Sequence, residues 1–144
     1  MADDQPIAIV VRGDHDVNEV KDQHILGSEK FEIASADIVS TVTGTPSGYI
    51  GLFGLRIPVW VDCTVAQMSN SIAGANELET HYRHVNPGRD MDLRHVTDLR
   101  NVTEGDRCPR CDEGELKLYR GIEIGHVFKK RFRFDRYSSE DRRW

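Results

Sequence analysis

The sequence predicts a mixed α/β domain, rich in strands and carrying two or three short helices. Three observations lead there. Short runs of β-branched and apolar residues such as Ile7–Arg12 and Ile57–Asp62 have the length and composition of strands. Only two stretches, near Val17–Ile25 and Ala36–Gly44, show helical spacing or clear caps. The 144 residues are 38% hydrophobic and 30% charged, which suits one ordinary domain with its own core.

Taken in order, "IAIVVR" reads as a buried strand, closed by Gly13 and Asp14. Asp14 or Asp16 is placed to cap a helix starting near Val17, in which Val17, Val20, His24 and Ile25 recur at helical spacing. Lys21 lies four residues after Val17, beside the inward face. "KFEIAS" reads as another strand. Ser35 then caps "ADIVSTVTG", which stops at Gly44. "YIGLFGL" and "IPVWVD" read as strands, the first made irregular by Gly48, Gly51 and Gly54. Such glycines mark the close approach of a ligand or of another backbone. "TVAQM" is at most a helical turn. "NSIAGAN" and "THYRHVN" read as strands joined through Gly74–Glu77. Strands and loops follow in "VTDLRNV", "EGDRCPRCDEGELKLYRG" and "IEIGHVF".

Composition narrows the function. The net charge of −5 is uneven: Lys129–Trp144 carries seven basic and three acidic residues, leaving the other 128 residues at −9. So acidic a body repels phosphate at long range. It suits contact with the end of a nucleic acid better than a grip along a duplex, and DNA is not an expected partner. No apolar run approaches the roughly 20 residues of a membrane span. The N-terminus lacks the basic and apolar regions of a signal peptide, so a cytoplasmic location is expected. Three cysteines make no disulfide framework. Nucleotide-binding glycine motifs, the hydrolase serine elbow and the zinc-protease helix motif have no counterpart.

Several residues have both a structural and a chemical reading. Lys21 is either a stem packed along its helix with a solvated ammonium or a cation that polarises a carbonyl. Asp62, at a strand end, is a helix cap, a pocket carboxylate, or both. His81 and His84 point to opposite faces of a regular strand, so one of them at most faces a given pocket. Cys108-Pro109-Arg110-Cys111 is a C-x-x-C knuckle without a second ligand pair, Cys63 being the one further thiol. These are weak metal candidates, and the motif also fits an ordinary turn or a redox pair. Redox pairs usually open a helix, whereas "RCPRCDEGELKL" reads as a hairpin. The basic, aromatic "KKRFRFDRYSSEDRRW" has the composition of a single-strand nucleic-acid binder and equally of a disordered tail.

Together, "VVRGDHDVNEVK", "GYIGL", "IPVWVDCTVAQM", "AGANELETHY", "VNPGRDMDLRHVTDLRNVTEGDRCPRC" and "RGIEIGHVF" resemble the editing insertion domain of the bacterial type of prolyl-tRNA synthetase. Order and spacing match from about Ile7 to Phe128. That domain is one of the YbaK-like aminoacyl-tRNA deacylases. The resemblance implies their mixed, largely antiparallel sheet with a few short helices, here lacking its first strand and helix. Its implied activity is hydrolysis of the ester between a wrong amino acid, chiefly alanine, and the tRNA 3′ end, without a cofactor. A non-catalytic module binding a tRNA end or a protein is the alternative.

Carried over residue by residue, the resemblance makes Lys21 the catalytic cation that closes "N-E-V-K". It makes Asp62 the carboxylate for the amino-acid ammonium and His81 the group that limits pocket size. Gly74, Gly48 and Gly51 belong to the backbone lining the pocket. The implied partners are a tRNA 3′ end bearing a small amino acid and a synthetase. Leu52 stands where the family loop carries proline, which removes a φ constraint. Residues 1–118 are expected to form the editing domain, 119–128 to resemble the synthetase core after the insertion, and 129–144 to be a disordered basic tail. The ATP- and proline-binding parts of the synthetase have no counterpart, so proline activation is not expected of this chain alone.

Overall fold

The computed structural model describes residues 1–127 apart from 112, 123 and 126. The basic tail lies outside the described residues, as does part of "IEIGHVF". Among the described residues, eight elements follow one another: β1 (Ala8–Val10), α1 (Glu19–Leu26), α2 (Ala36–Thr43), β2 (Val59–Asp62), α3 (Cys63–Ala66), β3 (Ser71–Gly74), β4 (His81–Val85) and β5 (Val96–Thr97). The class is the expected mixed α/β with short helices.

The strands form two small sheets. β2 is central in a parallel sheet of order β1-β2-β5, with Ala8 opposite Val59 and Val61 opposite Val96. Parallel neighbours need a crossover, and α1 and α2 lie within the connection between β1 and β2. β3 and β4 form an antiparallel pair through the expected Gly74–Glu77 turn, with Gly74 opposite His81. Between Ser71 and Ala73 the register slips: Ser71 faces Val85 while Ala73 faces Tyr82. β4 thus carries an extra residue, and His84 adopts a left-handed φ of 59°. The bulge interrupts the strict alternation on which opposite orientations for His81 and His84 depend.

Local chemistry explains the helix limits. The Ser35 side chain caps α2 at Ile38, and Gly44 closes it at φ 71°, as expected. α1 is capped by Asn18, not by Asp14 or Asp16. Asn18 Oδ1 accepts from Lys21 N–H at 3.0 Å, and the Asp14 carboxylate is taken by the Arg12 guanidinium. The facing of α1 also differs from the apolar spacing: Val20 is 78% exposed, and the buried residue is Asp22.

Two expected strands are absent. "KFEIAS" makes a single bridge from Phe31 to Ala2. Gly48–Leu55 is a looped segment with left-handed turns at Gly48 (φ 100°) and Gly54 (φ 72°). The fully buried apolar residues are Val61, on β2, and Leu99, just after β5, whose N–H is held by Asp62 at the end of β2. Beside β1 an apolar cleft of about 570 Å³ opens, with Ile9, Val39, Ile50, Leu52, Met68 and Gly74 in its wall.

Candidate functional site

The candidate residues fall into two groups, each joined by its own contacts. The first is built on Lys21. The Asn18 cap fixes the first turn of α1, and from it the Lys21 ammonium reaches a segment 77 residues away in sequence. Nζ donates to Asp98 Oδ2 at 2.8 Å and to the Arg100 carbonyl at 2.9 Å. Lys21 is 30% exposed at its side chain and Asp98 69%. An ammonium has three protons. Two are engaged here, and the side chain remains partly exposed.

The segment that holds Lys21 is itself anchored. Asn18 N–H donates to the Leu99 carbonyl, and Asn18 Nδ2 donates to Asn101 Oδ1, at 2.9 and 2.8 Å. Asp106 grips the Arg100 guanidinium through both oxygens, at 2.7 and 2.9 Å. That bond, with Thr103 N–H, drives the Asp106 carboxyl far below the usual carboxylate range.

Asp62 stands behind this segment, 1% exposed. Its Oδ1 accepts from Thr64 N–H at 2.8 Å and from the Thr64 hydroxyl, capping α3. Its Oδ2 accepts from Leu99 N–H at 3.0 Å. Burial pushes the Asp62 carboxyl up, but the hydrogen bonds from Thr64 and Leu99 together outweigh it and leave the group below its ordinary value. The helix-cap role is therefore realised. The carboxylate also pins Leu99, between the two residues that hold Lys21.

Asp22 is next to Lys21 on α1 but has no exposed surface, and neither of its oxygens has a partner. Burial pushes its carboxyl up to about 6; Lys21 opposes this, and Asp62 and Asp98 reinforce it. Cys63 is likewise raised, by burial first and then by Asp62 and Asp98.

The second group surrounds the β3–β4 turn. His81 lies opposite Gly74 and meets Tyr49 edge to face, with ring centroids 6.1 Å apart. Gly51 and Gly74 are needed for backbone contact. A Cβ on Gly51 would stand 1.8 Å from the Gly74 carbonyl oxygen, and one on Gly74 would stand 2.4 Å from the Ile50 carbonyl oxygen. Of the two meanings open for these glycines, the approach of another backbone is the one observed. Gly48 serves a turn and has open space where a Cβ would go.

Asn76, in a left-handed conformation at φ 58°, ties the loop to the turn. Its amide accepts from Gly51 N–H and donates to the Phe53 carbonyl, each at 2.7 Å, and its own N–H donates to Tyr49 O at 3.0 Å.

Gly74 and Leu52 reach the apolar cleft, whose wall does not include Lys21, Asp62 or His81. No hydrogen bond or ion pair among the described residues joins the Lys21 group to the His81 group. Sequence reasoning missed Asp98, Arg100, Asp22 and Asn76. Of these, Asn76 alone left a signal, as an asparagine inside a turn after glycine. Among the described residues, no three His, Cys, Asp or Glu side chains converge as metal ligands. Among the described residues, no helix is long and apolar enough to cross a membrane.

A short parallel sheet, an antiparallel hairpin and a helix-borne lysine held by the segment just after β5 define a small mixed α/β domain. Two solved structures share this fold. The crystal structure of a hypothetical protein designated APE2540 matches with a TM-score of 0.56 and 21% identity, over 66% of this chain and 65% of that one. A scaffold from the computational grafting of linear epitopes matches at 0.57 and 18%, over 65% and 64%. The family model described as "Aminoacyl-tRNA editing domain" matches residues 1–91, and the chain belongs to that family. It is 50% identical over 129 residues to the proline–tRNA ligase of Geobacter metallireducens, covering 90% of this chain and 23% of that protein. The proline–tRNA ligase of Thermoanaerobacter pseudethanolicus is 48% identical over 132 residues, again with 23% of its length covered. The chain thus spans less than a quarter of the curated relatives it matches.

Proposed function

We propose that this chain hydrolyses the ester of mischarged aminoacyl-tRNA, with alanyl-tRNA(Pro) as substrate, and that Lys21 is its catalytic cation. The observation that carries the reading is the Lys21 ammonium. It is fixed by Asp98 and the Arg100 carbonyl and remains partly exposed, in a chain of the aminoacyl-tRNA editing family. Ester hydrolysis needs stabilisation of the charge that develops on the carbonyl oxygen, and a preorganised ammonium supplies it. In this reading the third N–H of Lys21 meets that oxygen. A water attacks the carbonyl carbon, oriented by the neighbouring ribose hydroxyl, and the bond to the tRNA 3′ oxygen breaks. No protein nucleophile takes part.

The other residues support this step from different distances. In this reading His81 and the backbone at Gly74, Gly48 and Gly51 size the amino-acid pocket, and Gly74 is the one of them that lines the apolar cleft. Asp62 acts by holding Leu99 and, through it, the carboxylate and carbonyl that orient Lys21. Direct contact of Asp62 with the substrate ammonium needs the Thr64 hydroxyl to turn away. Residues 1–118 constitute the editing unit, working alone or with a synthetase.

One observation favours the alternative of a non-catalytic module: the Lys21–Asp98 pair is also what a structural clamp looks like. The two readings part on deacylation of alanyl-tRNA(Pro), with prolyl-tRNA(Pro) as control. Catalysis by Lys21 predicts hydrolysis of the alanyl ester only, and a loss of about 100-fold or more in Lys21→Ala. Equal hydrolysis by a folded Lys21→Ala, or none by the folded wild type, overturns the proposal.

A further inference from the structure

The hairpin from Thr103 to Leu116 carries two thiols that the editing reading does not use. Its base is closed by Gly105 N–H to Leu116 O at 2.9 Å and by Leu116 N–H to Asp106 O at 2.7 Å. At its tip, Cys108 N–H donates to the Gly114 carbonyl at 2.7 Å, and Arg110 N–H donates to Cys108 Sγ at 3.4 Å. The Cys108 and Cys111 side chains come to the same side of the hairpin tip, beside Gly114. Gly114 closes over both: a Cβ there would stand 2.9 Å from Cys111 Sγ and 3.3 Å from Cys108 Cβ.

Residues 108–111 span a turn. A turn holds its end Cα atoms within about 7 Å, and a disulfide spans about 4.4–6.8 Å. The Arg110 N–H, followed by the Cys111 thiol and N–H, holds the Cys108 thiol below its ordinary value. These donors do for Cys108 what a helix N-terminus does in other C-x-x-C pairs. Cys111 is exposed and Cys108 half-buried, so both are open to a small reagent. A tetrahedral metal site needs four ligands, and the described residues bring no third His, Cys, Asp or Glu to this pair.

We propose that Cys108 and Cys111 are a reversible dithiol–disulfide pair that exchanges with small-molecule disulfides. The Cys108 thiolate attacks one sulfur of the disulfide, forming a mixed disulfide and releasing one thiolate. Cys111 gives its proton to that leaving thiolate and attacks Cys108 Sγ, releasing the second thiolate, which takes from water the proton that Cys108 had given up. The two cysteines are oxidised by two electrons, and the small disulfide is reduced to two thiols. The ring so formed locks the tip of the hairpin whose Asp106 holds Arg100, and Arg100 O holds Lys21.

The test uses the full chain, oxidised glutathione, intact-mass spectrometry and thiol titration. The three free thiols are expected to fall to one, with the mass of the chain lower by two hydrogens and restored by dithiothreitol. Cys63→Ser keeps the pairing. Cys108→Ser and Cys111→Ser, each checked for folding by circular dichroism, lose it and retain at most a glutathione adduct. Three persistent thiols, adducts without ring closure in the wild type, or a cysteine-linked dimer overturn the proposal. Zinc bound to the pair in stoichiometric amount in the purified chain also overturns it.

Discussion

Replacing Asp22 by asparagine removes a carboxyl that the fold buries without a partner. Burial raises its pKa from an ordinary 3.8 to about 6. The folded chain therefore holds this proton more tightly than the unfolded chain. The resulting stability is fully present below about pH 4 and is lost as pH rises through about 6, leaving an ionised, unpaired carboxylate above that. A shift of about two units corresponds to roughly 3 kcal/mol at most. The neighbours Glu19 and Val20 are exposed, so solvent screening reduces the loss to about 1–2 kcal/mol. Asp22→Asn keeps the shape and cannot ionise. Urea unfolding of both proteins from about pH 4.5 to 8 should show similar stability at the acid end and a variant more stable by about 1–2 kcal/mol at the alkaline end. Parallel stability curves across the range would refute the reasoning, because they would mean that Asp22 titrates normally in the folded chain.

Two further substitutions probe the framework around the candidate residues. Asp62→Ala removes the cap on α3 and the acceptor for Leu99 N–H and should cost about 2–4 kcal/mol in urea unfolding, with faster amide exchange at Leu99. A loss under about 0.5 kcal/mol would show that the clamp is idle. Gly51→Ala places a methyl group 1.8 Å from the Gly74 carbonyl oxygen, which forces the Gly48–Leu55 loop off the β3–β4 turn. It should lower stability by several kcal/mol and expose the Gly51 amide, which donates to Asn76, to exchange. The same change at Gly48, where a Cβ meets nothing, should cost only the strain of its left-handed φ, about 1–2 kcal/mol.

How far each feature was legible follows from the range of its cause. α2 was readable because both of its ends are set by neighbours in sequence, the Ser35 oxygen and the Gly44 backbone. The β3–β4 hairpin was readable for the same reason, since its turn residues lie between its strands. α1 misled twice. Three polar residues compete for its cap, and the winner was decided when Arg12 took the Asp14 carboxylate and Asn101 met Asn18. Its burial also departs from the apolar spacing, for Asp22 is covered and Val20 stands in water. The segment Gly48–Leu55 has strand-like composition, but it has no ladder partner, because Asn76 and Gly74 hold its backbone at single points.

The residues by themselves determined the class of the fold, most of its strands, the identity of Lys21, Asp62 and His81 as candidates, and the family. These depend on local composition and on motifs in a fixed order. Tertiary structure alone decided what those side chains do. Asp98 and Arg100 became the holders of Lys21 across 77 and 79 residues of chain. Asp62 became the clamp on their backbone, and Asp22 was left buried without a partner. A hydrogen bond acts over about 3 Å of space whatever the separation along the chain, so only the folded molecule shows which groups come within its reach.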